Sequence, residues 1–272
     1  MIPRNALAPV ALATLVVAGL GPGCSSSRGD RDLAVEEATE DFVAAPPLSA
    51  DEQRRAQLED ELAAARAALE ARPKGEMEHV WLGRRLAYLG RYREAIEAFD
   101  RGLDLHPKSY RLLRHRGHRW ITLREFDRAV QDLGRAAEYA HGRPDEIEPD
   151  GQPNERNVPT STTKSNIYYH LGLAHYLSGN FERAVSAWRE CMKYSHASDD
   201  MLVANVYWLT LALHRLERRD EMRTLLRNTI RPDMDIIENH AYYRLVRLFS
   251  GEMFGDDPLA GVGTDEIAYP TL

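Results

Sequence analysis

The side chains of this sequence that are most capable of chemistry are histidines and arginines gathered in residues 110–120. His115 and His118 lie three residues apart, which would place both imidazoles on one face of a helix, where they could hold a metal ion. No cysteine or paired carboxylate nearby completes a ligand set, and the same stretch contains three arginines that would repel a cation: Arg114, Arg116 and Arg119. His170 and His175, five residues apart, also lack further ligands. We therefore expect no metal site.

Signatures of catalysis are absent from the sequence. It contains no G-x-S-x-G nucleophile elbow, no H-E-x-x-H zinc motif, no phosphate-binding Walker loop and no dinucleotide-binding glycine pattern after a strand. Strand signals are scarce as well, which argues against the folds that carry those motifs. Cys191 occupies a position that favours a small apolar residue, so we interpret it as a buried thiol and not a nucleophile. The prediction is a protein that is not an enzyme and needs no cofactor.

Small and aromatic residues recur at a fixed interval of 34 positions. Gly83, Ala95 and Phe99 are followed 34 residues later by Gly117, Ala129 and Leu133. The same set returns after a further 55 residues, one period plus an insertion of 21, as Gly172, Ala184 and Trp188. A period of this length is typical of helical hairpins stacked into an array.

The pattern resembles the tetratricopeptide repeat. The matching positions of the first unit are Trp81, Leu82, Gly83, Gly90, Tyr92, Ala95, Ile96, Phe99 and Pro107. The resemblance extends over about 75–250, in units 76–109, 110–143, 165–198 and a degenerate 203–236, with a half-unit at 238–250. It implies an all-α fold: a right-handed α-solenoid of about four helix hairpins with an N-terminal cap helix.

Elementary packing supports this register. Small residues at repeat positions eight and twenty sit where the two helices of a hairpin cross, and a larger side chain would separate them. Gly90 and Gly179 are placed as helix C-terminal residues that need a left-handed backbone. Arg116 departs from the pattern, because its position normally holds a buried leucine. We expect Arg116 either to extend its charged end to solvent or to bind a carboxylate, and our hypothesis is a carboxylate from a second helix or from the insertion.

In the family, the first helix of each hairpin lines a concave groove. Carried onto this sequence, the register predicts a groove that is basic in its N-terminal half and rich in tyrosine in its C-terminal half. The candidate partner-binding residues are Arg84, Tyr88, Arg111, Arg114, His118, Tyr169, Tyr176, Tyr207, His214 and Arg215. Arginine pairs with carboxylates in two-point geometry and tyrosine offers a flat apolar contact, so an extended acidic or C-terminal peptide would suit the groove. A solvated charged face without a ligand is the alternative.

The N-terminus has the features of an export signal. Arg4 precedes an apolar run over residues 6–20, which is short for a membrane span. The following Gly-Pro-Gly-Cys-Ser-Ser resembles the end of a bacterial lipoprotein signal, in which Cys24 would receive the lipid. Ordinary cleaved secretion and an uncleaved anchor are the alternatives. Lipidation would make the protein extracytoplasmic and membrane-anchored, at the outer membrane in a host that has one.

Several further segments follow from composition. Residues 25–50 are acidic and poor in apolar residues, which predicts a flexible linker. Residues 51–73 form an amphipathic pattern that predicts the cap helix. The proline-rich insertion 144–164 is expected to be a disordered or loosely packed surface loop. The tail 251–272 either packs back onto the array or precedes a missing downstream part.

Charge is distributed unevenly along the 272 residues. The net charge is −7, yet residues 74–135 carry fourteen bases against nine acids. The overall acidity and the export signal argue against nucleic acid as a partner. The predicted function is a non-catalytic scaffold for a partner protein; the alternatives are a fixed structural subunit of a larger cell-envelope assembly and an enzyme whose catalytic domain lies downstream.

Overall fold

The computed structural model describes residues 49–251, and this part of the chain is built from α-helices. The helices are α1 (Ser49–Ala71), α2 (Glu76–Tyr88), α3 (Tyr92–Leu105), α4 (Tyr110–Thr122), α5 (Phe126–Ala140), α6 (Thr163–Leu177), α7 (Phe181–Met192), α8 (Asp199–Arg215), α9 (Arg219–Thr229) and α10 (His240–Ser250). A short 3-10 helix, Ser195–Ala197, precedes α8. Within residues 49–251 the only extended pairing is an isolated antiparallel bridge between Ile147 and Thr162. The predicted all-α solenoid is confirmed.

In three of the four hairpins, a glycine of the first helix faces a large side chain of the second. A Cβ atom on Gly83 would lie 2.2 Å from the ring of Phe99, and one on Gly172 would lie 2.4 Å from Trp188. Phe99 and Trp188 are at most 1 % exposed. The first helix can approach the second this closely only because glycine has no side chain, so the spacing seen in the sequence is a packing requirement.

The turn between the helices of a hairpin has a left-handed residue. Gly90 has φ +75° and Gly179 has φ +78°, which confirms the prediction that they end α2 and α6. In the other two hairpins the same turn places Arg124 at φ +63° and Glu217 at φ +58°. The turn geometry is therefore kept where the glycine is not.

The first helices of successive hairpins form the inner side of the array. Helix α2 packs against α4, α4 against α6, α6 against α8 and α8 against α10. The second helices α3, α5 and α7 instead pack against the first helices on either side of them. The first helices therefore lie side by side along one side of the array, where the repeat register predicts the groove.

The ends of the described chain contain one helix each without a hairpin partner. Leu62 of α1 is 1 % exposed and packs with Val80 and Leu86 of α2; the role of α1 as a cap stays a prediction. The predicted signal 1–24 with Cys24, nearly all of the linker 25–50 and the tail beyond Gly251 lie outside the described residues. Among residues 49–251, no helix combines the length and the apolar character required to cross a bilayer.

Candidate binding groove

The predicted groove residues differ widely in their access to solvent. Three of them are buried: Arg84, Arg114 and Tyr169. Five are half-buried: Tyr88, Arg111, His118, Tyr176 and Tyr207. His214 and Arg215, at the end of α8, are exposed. The predicted residues at the end of α8 are therefore open to solvent, whereas those of α2 and α4 are buried or half-buried.

The insertion covers the basic half. Nε of Arg111 donates to Glu146 at 2.7 Å, and its Nη2 donates to the second oxygen of the same carboxylate at 2.5 Å. Two residues after Glu146 along the insertion, the carboxylate of Glu148 lies 2.9 Å from the guanidinium of Arg114. The backbone carbonyl of Gly151 then accepts a hydrogen bond from Arg85 at 2.8 Å. An acidic segment of the chain thus lies along the predicted peptide groove.

This placement differs from the disordered or loosely packed loop that we expected. Two backbone hydrogen bonds fix the insertion where it returns toward α6. The amide of Thr163 donates to the carbonyl of Glu146 at 2.9 Å, and the amide of Glu148 donates to the carbonyl of Ser161 at 3.2 Å. The prolines and acids that suggested disorder instead produce an extended segment whose carboxylates reach the arginines. The sequence pattern that could have indicated this pairing is the alternation of acids in Asp-Glu-Ile-Glu-Pro-Asp at residues 145–150.

A cluster of arginines and histidines lies beneath this segment. The imidazoles of His118 and His170 are 4.2 Å apart, between centroids, and His115 stacks at 6.1 Å on Phe99. Burial holds the pKa of each of these three histidines well below the ordinary 6.5, and the charge of nearby arginines lowers it further. Burial beside Arg114 likewise lowers the pKa of Arg119 to about 10. The cluster is therefore short of negative charge.

The C-terminal half of the groove is aromatic. The rings of Tyr207 and Tyr242 lie 4.5 Å apart, and Trp208 donates from Nε1 to the hydroxyl of Tyr242 at 3.2 Å. Phe249, 38 % exposed, stacks on Tyr207 at 6.4 Å. The sequence register identified Tyr207 but missed Trp208, Tyr242 and Phe249, because α10 was interpreted only as half of a further repeat.

The match to a known repeat is strongest in the first hairpin. A family model for the tetratricopeptide repeat matches residues 77–109. The crystal structure of MamA is similar to this chain with a TM-score of 0.50 at 17 % identity, over 68 % of this chain and 94 % of MamA. The fold is a tetratricopeptide-repeat solenoid.

Two further solved structures are similar at lower scores. A tetratricopeptide repeat protein from Parabacteroides merdae ATCC 43184 has a TM-score of 0.49 at 16 % identity, covering 75 % of this chain and 71 % of its own. YrrB, described as a tetratricopeptide protein with an unusual peptide-binding site, has a TM-score of 0.48 at 12 % identity, covering 69 % and 84 %. No curated protein sequence matches the chain.

The tetratricopeptide register explains where the atypical residues lie. Arg116, at the position of a buried leucine, binds both oxygens of Asp132 on α5 at 2.7 Å and Asp100 on α3 at 2.6 Å. Our hypothesis of a carboxylate partner on a second helix is confirmed. Cys191 is fully buried, and burial raises the pKa of its thiol to about 12. The interpretation of Cys191 as a buried thiol is thereby confirmed as well.

Metal chemistry has no counterpart in the described solenoid. Across residues 49–251, no group of three or more histidine, cysteine, aspartate or glutamate side chains is arranged to hold a metal ion. The close contact of His118 with His170 brings together two residues that the sequence left in separate pairs. The positive charges of Arg114 and Arg119 act on both imidazoles and would repel a cation.

Proposed function

We propose that the protein is a non-catalytic scaffold that binds an extended, acidic segment of a partner protein along the groove of the solenoid. The observation that supports this most directly is the pairing of Glu146 with Arg111 and of Glu148 with Arg114. In these pairs, an extended acidic segment of the chain itself binds the arginines of a first helix, as a partner's segment would.

The spacing of the two partners is compatible with this recognition. Alternate side chains of an extended chain point to the same side and repeat every 6.5–7 Å or so. Residues three apart on a helix, such as Arg111 and Arg114, are separated by roughly 5 Å along its axis, and long guanidinium side chains span the difference. The two-point bond of Arg111 to Glu146 adds direction to the attraction.

The C-terminal half of the groove would supply the apolar part of the contact. Leu177 and Phe249 are 41 % and 38 % exposed, and both belong to first helices. Tyr176 and Tyr207 lie half-buried, and His214 and Arg215 add exposed polar groups. Rings that are already packed against one another lose little freedom on binding, which favours a preformed site.

We further propose that the protein is exported and anchored by a lipid on Cys24, so that it works at the outer membrane or in the periplasm of a Gram-negative host. The support is the sequence of the first 24 residues. Replacing Cys24 with Ser should move the protein from the membrane fraction to the soluble fraction. Metabolic labelling with a fatty-acid analogue should mark the parent protein and leave the Cys24→Ser variant unlabelled. A labelled variant would contradict the assignment.

In-cell photo-crosslinking tests the scaffold function. A photoreactive amino acid at Tyr207 should capture a defined partner, and Arg215→Glu in the same groove should reduce that capture several-fold. Arg223→Glu, on the exposed side of α9, is the matched control and should leave capture unchanged. Equal capture in all three would show that the groove is not the binding site.

A fixed subunit of a larger cell-envelope assembly is the second candidate, favoured by the exposed apolar side chain of Phe249 on α10. Native mass measurement separates the two candidates. A permanent subunit should be isolated only with its neighbours, whereas a scaffold for passing partners should be isolated as a free chain.

A further inference from the structure

We propose that residues 145–151 are a built-in occupant of the basic half of the groove, and that a partner binds there by displacing them with its own extended segment bearing acids at alternate positions. This inference rests on the function proposed above and adds the ligand pattern and the competition. The segment is called the internal acidic strand below.

The internal acidic strand follows an alternating pattern that separates its charged and apolar faces. Glu146 and Glu148 point to arginines of α4, and Asp150 lies where the charge of Arg84 acts on it. Ile147, between the two glutamates, is 66 % exposed. The strand therefore touches the groove through its carboxylates and presents its apolar residue to solvent, as a reversibly bound peptide would.

The strand is held by two ion pairs, one partly exposed and one buried, and by backbone hydrogen bonds that join Glu146 to Thr163 and Glu148 to Ser161. The pair of Arg111 with Glu146 is about one-third exposed on both sides, and exposed ion pairs of this kind contribute little net stability and weaken with salt. Gly151 lies against the hydroxyl of Tyr88, where a Cβ atom would come within 1.8 Å, so the backbone rather than an apolar side chain fills that position. No large apolar side chain of the strand is inserted between the helices.

The pairing beneath the strand is also incomplete. One oxygen of Glu148 and Nε of Arg114 are buried and have no hydrogen-bond partner. Burial raises the pKa of Asp150, and the charge of Arg84 opposes that rise. Three arginines, Arg84, Arg114 and Arg119, share this region with the carboxylates of the strand. A peptide that satisfies these groups better would replace the strand.

The rest of the insertion provides a path for release. Residues 152–157 form an outer turn in which five of the six residues are exposed. Within the turn, Arg156 binds Asp235 at 2.8 Å in an exposed pair. To leave the groove the strand must break the partly exposed pair of Glu146 with Arg111 and the buried pair of Glu148 with Arg114. It must also break the hydrogen bond from Arg85 to Gly151 and two backbone hydrogen bonds, from Thr163 to Glu146 and from Glu148 to Ser161. None of these contacts belongs to the apolar packing between the helices.

A labelled peptide with the sequence of residues 144–152 is the probe, and the same peptide with Gln and Asn in place of its acids is its control. In the full chain, Glu146→Gln, Glu148→Gln and Asp150→Asn together should weaken the internal strand. Because the wild-type strand competes at the high effective concentration of a tethered ligand, this variant should bind the probe at least about tenfold more tightly than wild type. The control peptide should bind neither form.

A second variant covers the case in which the neutral strand impairs folding. A protease site placed between Glu155 and Arg156 leaves every groove contact intact, and cutting it frees one end of the strand. The cut chain should bind the probe more tightly than the uncut chain, and hydrogen exchange at the Glu148 amide should become fast when the probe is added. Equal probe affinity before and after cutting, with the Glu148 amide still protected, would overturn the inference.

The results also separate the inference from the proposed function. Equal binding of the probe to all forms, lost on Arg114→Glu, would reject the competition and keep the acidic-peptide groove. No binding to any form would overturn both. Tight binding only to the neutral or cut chain supports both.

Discussion

At the scale of single residues, Arg116 is the clearest departure from the repeat. Its guanidinium joins α4 to both neighbouring second helices, and the side chain of Asp132 is only 4 % exposed. Arg116→Leu restores the residue that the repeat prefers but leaves a buried carboxylate bonded only to Trp120. We expect a loss of about 2–4 kcal/mol in the free energy of unfolding, measured by urea denaturation.

The double variant Arg116→Leu with Asp132→Leu is the control for that prediction. Removing both charges removes the uncompensated carboxylate, so most of the lost stability should return. A single variant as stable as wild type would mean that the ion pair contributes nothing to the solenoid.

The histidine cluster of α4 and α6 predicts a dependence of stability on pH. His115 and His118 of α4 face His170 of α6, Arg84 of α2, the arginines of their own helix and Glu148 of the insertion. Their folded-state pKa values are depressed, so the unfolded chain binds more protons as the pH falls below about 6.5. Above that pH, these histidines should not change the free energy of unfolding. As the pH falls from there toward their folded-state pKa values, the free energy of unfolding should decrease.

Thermal unfolding between pH 7.5 and 5.5 measures this effect. The melting temperature should fall on acidification, and the fall should be smaller in a variant with Gln in place of His118 and His170. The same slope in both proteins would exclude the histidine cluster as its source.

At the scale of elements, the contact between the two helices of a hairpin depends on missing side chains. Gly172→Ala would place a methyl group 2.4 Å from Trp188, so the helices must separate or the indole must move. We expect a loss of about 1–3 kcal/mol in unfolding free energy, the usual cost of overpacking a core.

Gly134 of α5 is a matched control on the same type of element. A Cβ atom there meets nothing within 4 Å. Gly134→Ala should therefore stabilise the protein by about 0.5–1 kcal/mol, since alanine is the better helix former. Chemical denaturation of both variants should give shifts of opposite sign; shifts of the same sign would mean that helix propensity and not helix contact controls these positions.

At the scale of the whole molecule, one buried carboxylate attaches the last helix to the array. Asp200 of α8 is fully buried and accepts hydrogen bonds at 2.8 Å from three successive backbone amides, Ile237, Glu238 and Asn239, which lead into α10. Asp200→Ala should cost about 3–5 kcal/mol, because hydrogen bonds to a charged acceptor are the stronger kind and the amides stay buried.

Hydrogen exchange locates that loss. Amides of α10 should exchange much faster in Asp200→Ala, whereas amides of α2 to α5 should keep their protection, because each repeat contacts only its neighbours. Asp200→Asn keeps one acceptor oxygen and should fall between the two proteins. Uniform loss of protection would instead indicate that the solenoid unfolds as one unit.

The sequence predicted the groove residues that follow the repeat register, but not those that depend on the insertion or on helix packing. The register placed Arg111, Arg114 and Tyr207 on the first helices, since repeat position follows from counting along the chain. It did not predict that Glu146 and Glu148 would cover the arginines, because an insertion has no register. Nor did it identify Trp208 and Tyr242 as part of the aromatic wall, because their contact depends on how two helices 34 residues apart are packed.

The amino-acid sequence by itself determined the hairpins and their stacking. Contacts such as Gly83 with Phe99 or Gly172 with Trp188 join residues 16 apart. Three of the four hairpins meet this same steric condition, so it appears in the sequence as a period. Only the tertiary structure decided what lies in the groove and what holds α10. Those features depend on single pairings between distant carboxylates and arginines or amides, which occur once and leave no periodic trace in the sequence.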